Sequence, residues 1–344
     1  MITNKLRLIL IPSLALVFAL SSCGNPADKP YSIYQGYAQG TTFHIELDGD
    51  GDYSTAIDSM LRDIDKELSL WDSASWISSW NSGNTSAEMG FHARRCWELS
   101  THMHALSNGY FDPSLAPLIQ FWGFGHASKG LPEQVDTPML NQIRQRIGLN
   151  QVLQYDSVQG RLLPKTAGAR LDFNAIAQGY SVDVLADFFE QKGHTNYMIE
   201  IGGEVRCRGK SPQGKFWKIG IDKPVSASET RALQAIVNLE GGLATSGSYR
   251  KHYEKDGRRY AHVINPKTGF PVSHQLVSVT VSAPTAAEAD ALATALLAMG
   301  TQPAIAFAQA QPNFGVFLIY DEQGRWQTWV SEKMKAQLSE RLNN

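Results

Sequence analysis

The chain has 344 residues, 43% hydrophobic and 19% charged, enough apolar mass to bury a large core as one big domain or two merged ones. Its formal net charge is −2, with no block of Lys and Arg and no basic run that suggests a phosphate backbone as partner. Nucleic acid is therefore excluded as the expected partner.

The first two dozen residues differ in kind from the rest. Lys5 and Arg7 form a short positive region, Leu8 to Leu20 are almost wholly apolar, and Leu20-Ser21-Ser22 sets small residues before Cys23. This resembles a bacterial lipoprotein signal: residues 1–22 as leader, Cys23 as the lipidated residue, and residues 23–34 as a tether carrying two prolines. An ordinary secretory signal with an incidental cysteine is the alternative. The apolar run is too short to span a bilayer as a stable helix. The mature protein is expected in a bacterial cell envelope, lipid-anchored to a membrane and facing the periplasm, or on the outer surface of the inner membrane. Cys96 and Cys207 lie far apart with no metal spacing and read as structural thiols, with a disulfide left open.

Strand patterns follow at 42–47, 196–201, 216–222, 233–239, 259–264, 276–283 and 314–320. Helical patterns lie near 54–69, 92–107, 138–146, 175–192, 286–299 and 301–310. Several strands succeed one another with only turns between, so the pattern predicts an α+β fold with largely antiparallel or mixed sheets and packed helices, as a single large domain over 35–335.

Common catalytic signatures are missing. No GxxxxGK(S/T), no GxGxxG opening a helix, no HExxH and no GxSxG occurs, so a P-loop enzyme, a Rossmann dehydrogenase, a zincin and an α/β-hydrolase are unsupported. Four other segments carry candidate chemistry. In TAAEADALATALLAMG (285–300), Thr285 and Glu288 fit a capping box, and Asp290 and Thr294 fall one turn apart on one face of an apolar helix. Taken alone, Asp290 complements the helix dipole and Thr294 bonds a carbonyl; the functional alternative is a cation site. In LDFNAIAQGY (171–180), a short strand runs into a helix, placing Asn174 where free N–H groups favour anions and Asp172 just before it as either cap or ligand. ATSGSYR (244–250) reads as a hydroxyl-rich turn, and His262 sits on a strand before Asn265-Pro266-Lys267-Thr268-Gly269. In FDPSLAPLIQFWGFG (111–125), aromatics join Trp71, Trp76 and Trp80 as either core or stacking faces.

Together and in this order, these segments resemble the ApbE family of flavin transferases. Gln39-Gly40-Thr41-Thr42, Ser78-Ser79-Trp80-Asn81, Phe111 through Gly125, Asp172 through Gly179, Gly202-Gly203, Thr245-Ser246-Gly247, His262 through Pro266 and Asp290 through Thr294 each match a family motif. The resemblance spans roughly residues 35–330 and implies an ApbE-like fold. It implies an enzyme that takes FAD as substrate, joins the FMN half to a threonine hydroxyl of an acceptor protein and releases AMP. The acceptor it suggests is an exported flavin subunit of a membrane electron-transport complex.

By the same resemblance, Mg²⁺ is held by Asp290, Thr294 and the Ala175 carbonyl, oxygen ligands suited to a hard cation. His262 is the candidate for accepting the threonine proton, with Asp290 as a rival base. The FAD contacts carried over are Gln39, Ser78, Ser79, Trp80, Phe121, Trp122, Gly123, Asp172, Gln178 and Ile264, with Trp80 and Trp122 as stacking faces. The chain departs from the family where Gln39 replaces Met, Ser79 replaces Arg, Gln178 replaces Lys and Asn265 replaces Asp. Two of these changes each remove a cation able to face phosphate. An FAD pyrophosphatase giving FMN and AMP, and a non-enzymatic FAD-binding lipoprotein, are the competing functions.

Overall fold

The computed structural model describes residues 30–125, 130–224, 232–248, 252–255 and 258–341; the leader and Cys23 lie outside them. The chain opens with strands β1 (Tyr31–Ala38) and β2 (Thr41–Asp48), then helices α1 (Ser54–Leu68), α2 (Trp76–Asn81) and α3 (Phe91–Leu106). A 3₁₀ turn (Pro113–Leu115) leads to α4 (Ala116–Phe121), α5 (Thr137–Arg144) and α6 (Leu149–Val152), and then to β3 (Leu153–Asp156) and β4 (Arg161–Pro164). Helix α7 (Ala177–Gln191) precedes β5 (Tyr197–Ile201), β6 (Glu204–Arg208), β7 (Trp217–Asp222), β8 (Leu233–Leu239), β9 (Gly241–Gly247), β10 (His252–Lys255) and β11 (Arg258–Ala261). The chain ends with β12 (Leu276–Ala283), α8 (Ala286–Met299), α9 (Thr301–Ala310), β13 (Gly315–Glu322), β14 (Arg325–Val330), α10 (Glu332–Gln337) and β15 (Leu338–Arg341).

An eight-stranded sheet in the order β1-β2-β5-β6-β9-β12-β13-β14 forms the frame, and β15-β8-β7 make a smaller sheet beside it. Every described ladder is antiparallel. The α+β expectation therefore holds. Tyr31 to Tyr34, assigned from sequence to a tether, belong to β1, paired to β2 from Tyr31↔Asp48 onward, and at the other end β15 lies beyond residue 335. Cys96 and Cys207 are buried and free.

Helix α8 is the centre of the core. Its Ala-Leu composition makes it apolar all round, and all but a few of its residues are buried. Such a helix must be covered on every side, and α7, β9 and β12 do this. Of the segment 244–250, read from sequence as a hydroxyl-rich turn, residues 244–247 instead belong to the central strand β9, paired to β6 and β12. Its glycines lower strand propensity but admit α8 closely: a Cβ at Gly242 would run into the Thr285 carbonyl. Strand β11 stops at Ala261, so His262 lies just beyond a strand rather than on one.

Candidate active site

Helices α7 and α8 meet near their N-terminal turns, and glycine makes the contact possible. A Cβ on Gly179 would stand 2.5 Å from the Ala286 carbonyl oxygen and 2.9 Å from the Ala287 Cα, so only hydrogen fits there. At this crossing each helix lends a carboxylate to the other. Asp183 of α7 accepts the Ala286 and Ala287 amides at 2.9 and 2.8 Å, which caps α8, and its Oδ1 also takes the Arg206 Nη1 at 2.9 Å. Among the described residues, Asp290 of α8 accepts only the Gly179 amide, at a long 3.2 Å.

Asp290 is 7% exposed, and no ion pair to it is formed among the described residues. Burial pushes its carboxyl up to about 7, a rise the Gly179 hydrogen bond opposes and the nearby Asp183 charge reinforces. One turn on, the Thr294 hydroxyl lies 3.0 Å from the Ser246 hydroxyl of β9. A buried carboxylate with a single weak donor, beside two hydroxyls, is a costly arrangement without a cation. An oxygen-rich, anionic donor set of this kind fits a hard divalent ion. No group of three or more His, Cys, Asp or Glu side chains converges anywhere among the described residues, so such an ion would draw on neutral oxygens as well as on Asp290.

Asp290, Thr294 and Ser246 form one wall of a cleft of about 970 Å³ that also reaches Gln39, Ala175, Gln178, His262 and Ile264. That volume suits a large cofactor-sized ligand. The cleft is acidic: Asp65, Asp112, Asp172, Glu204 and Asp290 line it, against Arg170 as the one Lys or Arg among its described lining residues. Arg170 is exposed, while its neighbour Leu171 is pinned at both N–H and C=O by the Asn81 side chain, at 2.8 and 2.9 Å.

Gln39 shows a second sign of a binding role. With Gly40 it forms the two-residue β1–β2 turn, and both have positive φ, 52° and 75°, a conformation costly for glutamine. Its Nε2 donates to the Ser181 hydroxyl at 2.7 Å, while its buried Oε1 has no hydrogen-bond partner among the described residues. Strain and an unsatisfied acceptor at a cleft wall are the marks of a site completed by ligand.

The ApbE family model matches residues 39–318. The chain belongs to the ApbE family. It is 33% identical over 338 residues to an FAD:protein FMN transferase of Haemophilus influenzae, covering 94% of this chain and 96% of that protein. Among solved structures, the flavin transferase ApbE of Vibrio cholerae superposes with a TM-score of 0.80 at 31% identity, over 90% of this chain and all of the other. The apo flavinyl transferase ApbE of Pseudomonas stutzeri gives 0.81 at 30% identity, over 91% and 98%.

Within this ApbE fold, the residues singled out from sequence divide into two groups. Gln39, Asp172, Ala175, Gln178, His262, Ile264, Asp290 and Thr294 all line the cleft. Ser78, Ser79, Trp80, Phe121, Trp122 and Gly123 do not. Trp80 and Trp122 are 2% and 1% exposed, and each donates its indole N–H to a carbonyl, of Leu162 at 2.8 Å and of Gly269 at 2.7 Å. Their ring faces are core surface, so the stacking expected of them is not available as they stand. The aromatics that do line the cleft are Trp71, 71% exposed, with Tyr110, Phe111, Phe124 and Tyr253. Sequence reasoning left out Ser246, Asp112, Glu204 and Arg170 as site residues. Ser246 had a signal, the Thr245-Ser246-Gly247 motif; Arg170 had only its place two residues before Asp172.

Proposed function

We propose that this chain is an FAD:protein FMN transferase that moves the FMN half of FAD onto a threonine of an acceptor protein, with Mg²⁺ as cofactor. The observation that carries the reading is the buried, under-bonded Asp290 beside Thr294 in an acidic cleft large enough for FAD. A cleft with five carboxylates repels a diphosphate unless a cation intervenes.

Asp290, Thr294 and the Ala175 carbonyl would hold the ion, which when bound supplies neutralisation of phosphate charge. The chain's own residues do the rest. Gln39 offers an amide oxygen to the substrate from its strained turn. Arg170 adds the positive charge that Ser79 and Gln178 lack. The threonine oxygen bonds to the FMN phosphorus, the bond from that phosphorus to the bridging oxygen of AMP breaks, and AMP leaves with the electron pair. The threonine proton passes to an imidazole nitrogen of His262, which lines the cleft half-buried. Asp290 is the rival acceptor for that proton.

The proposal extends to location. Cys23 carries lipid and holds the enzyme to a membrane of the cell envelope, facing exported flavin subunits of electron-transport complexes. The signal at 1–23 supports this. A Cys23→Ser chain is expected to lose incorporation of labelled fatty acid, and unchanged labelling would remove the anchor from the account.

The decisive assay follows the phosphorus. Residues 24–344 with FAD, Mg²⁺ and an acceptor domain should yield one AMP per acceptor modified. Free FMN formed at the same rate without acceptor would make the protein a pyrophosphatase, and intact FAD would make it a carrier. His262→Ala should slow transfer roughly a hundredfold or more while FAD still binds; transfer at the wild-type rate would return His262 to a structural role.

A further inference from the structure

The described chain begins at Pro30, whose carbonyl accepts the Gly49 amide at 2.7 Å, and β1 starts at the next residue. At this end of β1 the Tyr31 hydroxyl donates to the Lys210 carbonyl at 2.7 Å, and the Lys210 amide donates to the Asn196 Oδ1 at 2.8 Å. The β6–β7 connection is thus fastened beside the point where the segment following Cys23 joins the fold. It is a closed loop: the Ser211 amide bonds the Lys215 carbonyl and the Gly214 amide the Ser211 carbonyl, both at 2.8 Å.

This loop has an unusual chemistry for an acidic protein. Between Val205 and Ile221 the chain carries Arg206, Arg208, Lys210, Lys215 and Lys218 and no Asp or Glu. Arg206 and Arg208 are engaged by Asp183 and Glu190, at 2.9 and 2.6 Å. Lys210 and Lys215 are exposed and form no ion pair among the described residues. Phe216 between them and the strand is 48% exposed, with the Lys210 Nζ 3.6 Å from its ring centroid. Turn residues space these groups along the sequence, and the loop gathers them at one end of the molecule.

We propose that the Lys210–Phe216 loop is a docking surface for an anionic lipid bilayer. The occupant is chosen by position and charge. The segment from Cys23 to Pro30 spans at most about 30 Å when fully extended, so an anchored protein keeps this end near the headgroups. Exposed lysines are drawn to anionic headgroups, and a half-exposed aromatic suits the interface. The cleft lies at the other end: Gln39 and Gly40 follow the last residue of β1, an eight-residue strand of about 26 Å. Docking by the loop therefore turns the cleft away from the bilayer, toward acceptors in the aqueous space. The choice of a membrane as neighbour rests on the Cys23 reading, whereas the loop's affinity for lipid does not.

The test uses residues 24–344, which include every described residue and lack the lipidated cysteine. Co-sedimentation is expected with phosphatidylglycerol vesicles and not with phosphatidylcholine vesicles, and it should fade as salt is raised. Replacing both Lys210→Gln and Lys215→Gln should weaken partitioning about 25-fold, roughly fivefold for each lysine near an anionic surface. Phe216→Ser should weaken it further, and the pair Lys210→Arg and Lys215→Arg should preserve it. FAD turnover in solution should be unchanged in all of them, which reports that the fold is intact. Equal binding to both vesicle types, or phosphatidylglycerol binding unaffected by the double Gln variant, would overturn the proposal. Loss of fatty-acid labelling in Cys23→Ser is a separate result and stands or falls alone.

Discussion

Asp183 and Asp290 are two buried carboxylates at one helix crossing, and the fold treats them in opposite ways. Asp183 receives two amides of α8 and a guanidinium. Asp290 receives one distant amide of α7 and faces a cleft. Burial raises both carboxyls, and for Asp183 the Arg206 charge and the two amides oppose the rise. The protein has finished one site with its own atoms and left the other open. The first ties α7 to α8, and the second is the site proposed above for a cation.

The largest expected effect breaks the open site. Asp290→Asn should lower FMN transfer about a thousandfold, the several kcal/mol that a metal ion supplies to such a step, with thermal stability undiminished because a neutral amide no longer hides a charge.

pH gives the next handle. The folded value of Asp290 lies above the unfolded one, so the metal-free protein gains stability from this group at low pH. That gain is lost as pH rises from about 4, where the unfolded chain ionises, to about 7, where the folded one does. An upper bound on the difference is about 4 kcal/mol. Urea unfolding across that range should show the slope in wild type and a flatter profile in Asp290→Asn.

The finished site is broken by Asp183→Asn, which strips the charge from the pair with Arg206 and weakens the α8 cap. A loss of about 3 kcal/mol is expected in denaturant unfolding, with transfer at low temperature reduced far less than by Asp290→Asn. Gly179→Ala should cost about 2 kcal/mol by forcing the helices apart. It should also raise the Mg²⁺ concentration needed for activity, because Asp290 is set by that contact.

The contrast between the two aspartates was half legible in the sequence. Asp290 and Thr294 repeat at helix spacing in an otherwise apolar run, and the capping box is present: the Thr285 hydroxyl accepts the Glu288 amide at 3.2 Å and donates to its carboxylate at 3.1 Å. Asp183 carries no such sign, because its partners are distant in sequence: Arg206 comes from strand β6 and Ala286 from the N-terminus of α8. Strand β9 was hidden for a similar reason: glycines suited to a close helix look like turn residues until the helix is in place. Trp80 and Trp122 sat in the right motifs, but their indole N–H groups are spent on carbonyls, a tertiary fact that aromatic spacing does not encode. Gln39-Gly40 stands out in the sequence only as part of a motif, and the turn and the strain at Gln39 are visible only in the backbone.

The most direct measurement is the thermal stability of the metal-free protein with and without Mg²⁺ in the presence of FAD, for wild type, Asp290→Asn and Asp183→Asn. The account expects wild type to gain stability on adding Mg²⁺, since a ligand that binds only the folded state raises its melting temperature. Asp290→Asn should start no lower than wild type and gain nothing, and Asp183→Asn should start lower and still respond. An Asp290→Asn protein that melts early and responds to Mg²⁺ as wild type does would contradict it, because Asp290 would then be a structural carboxylate like its neighbour.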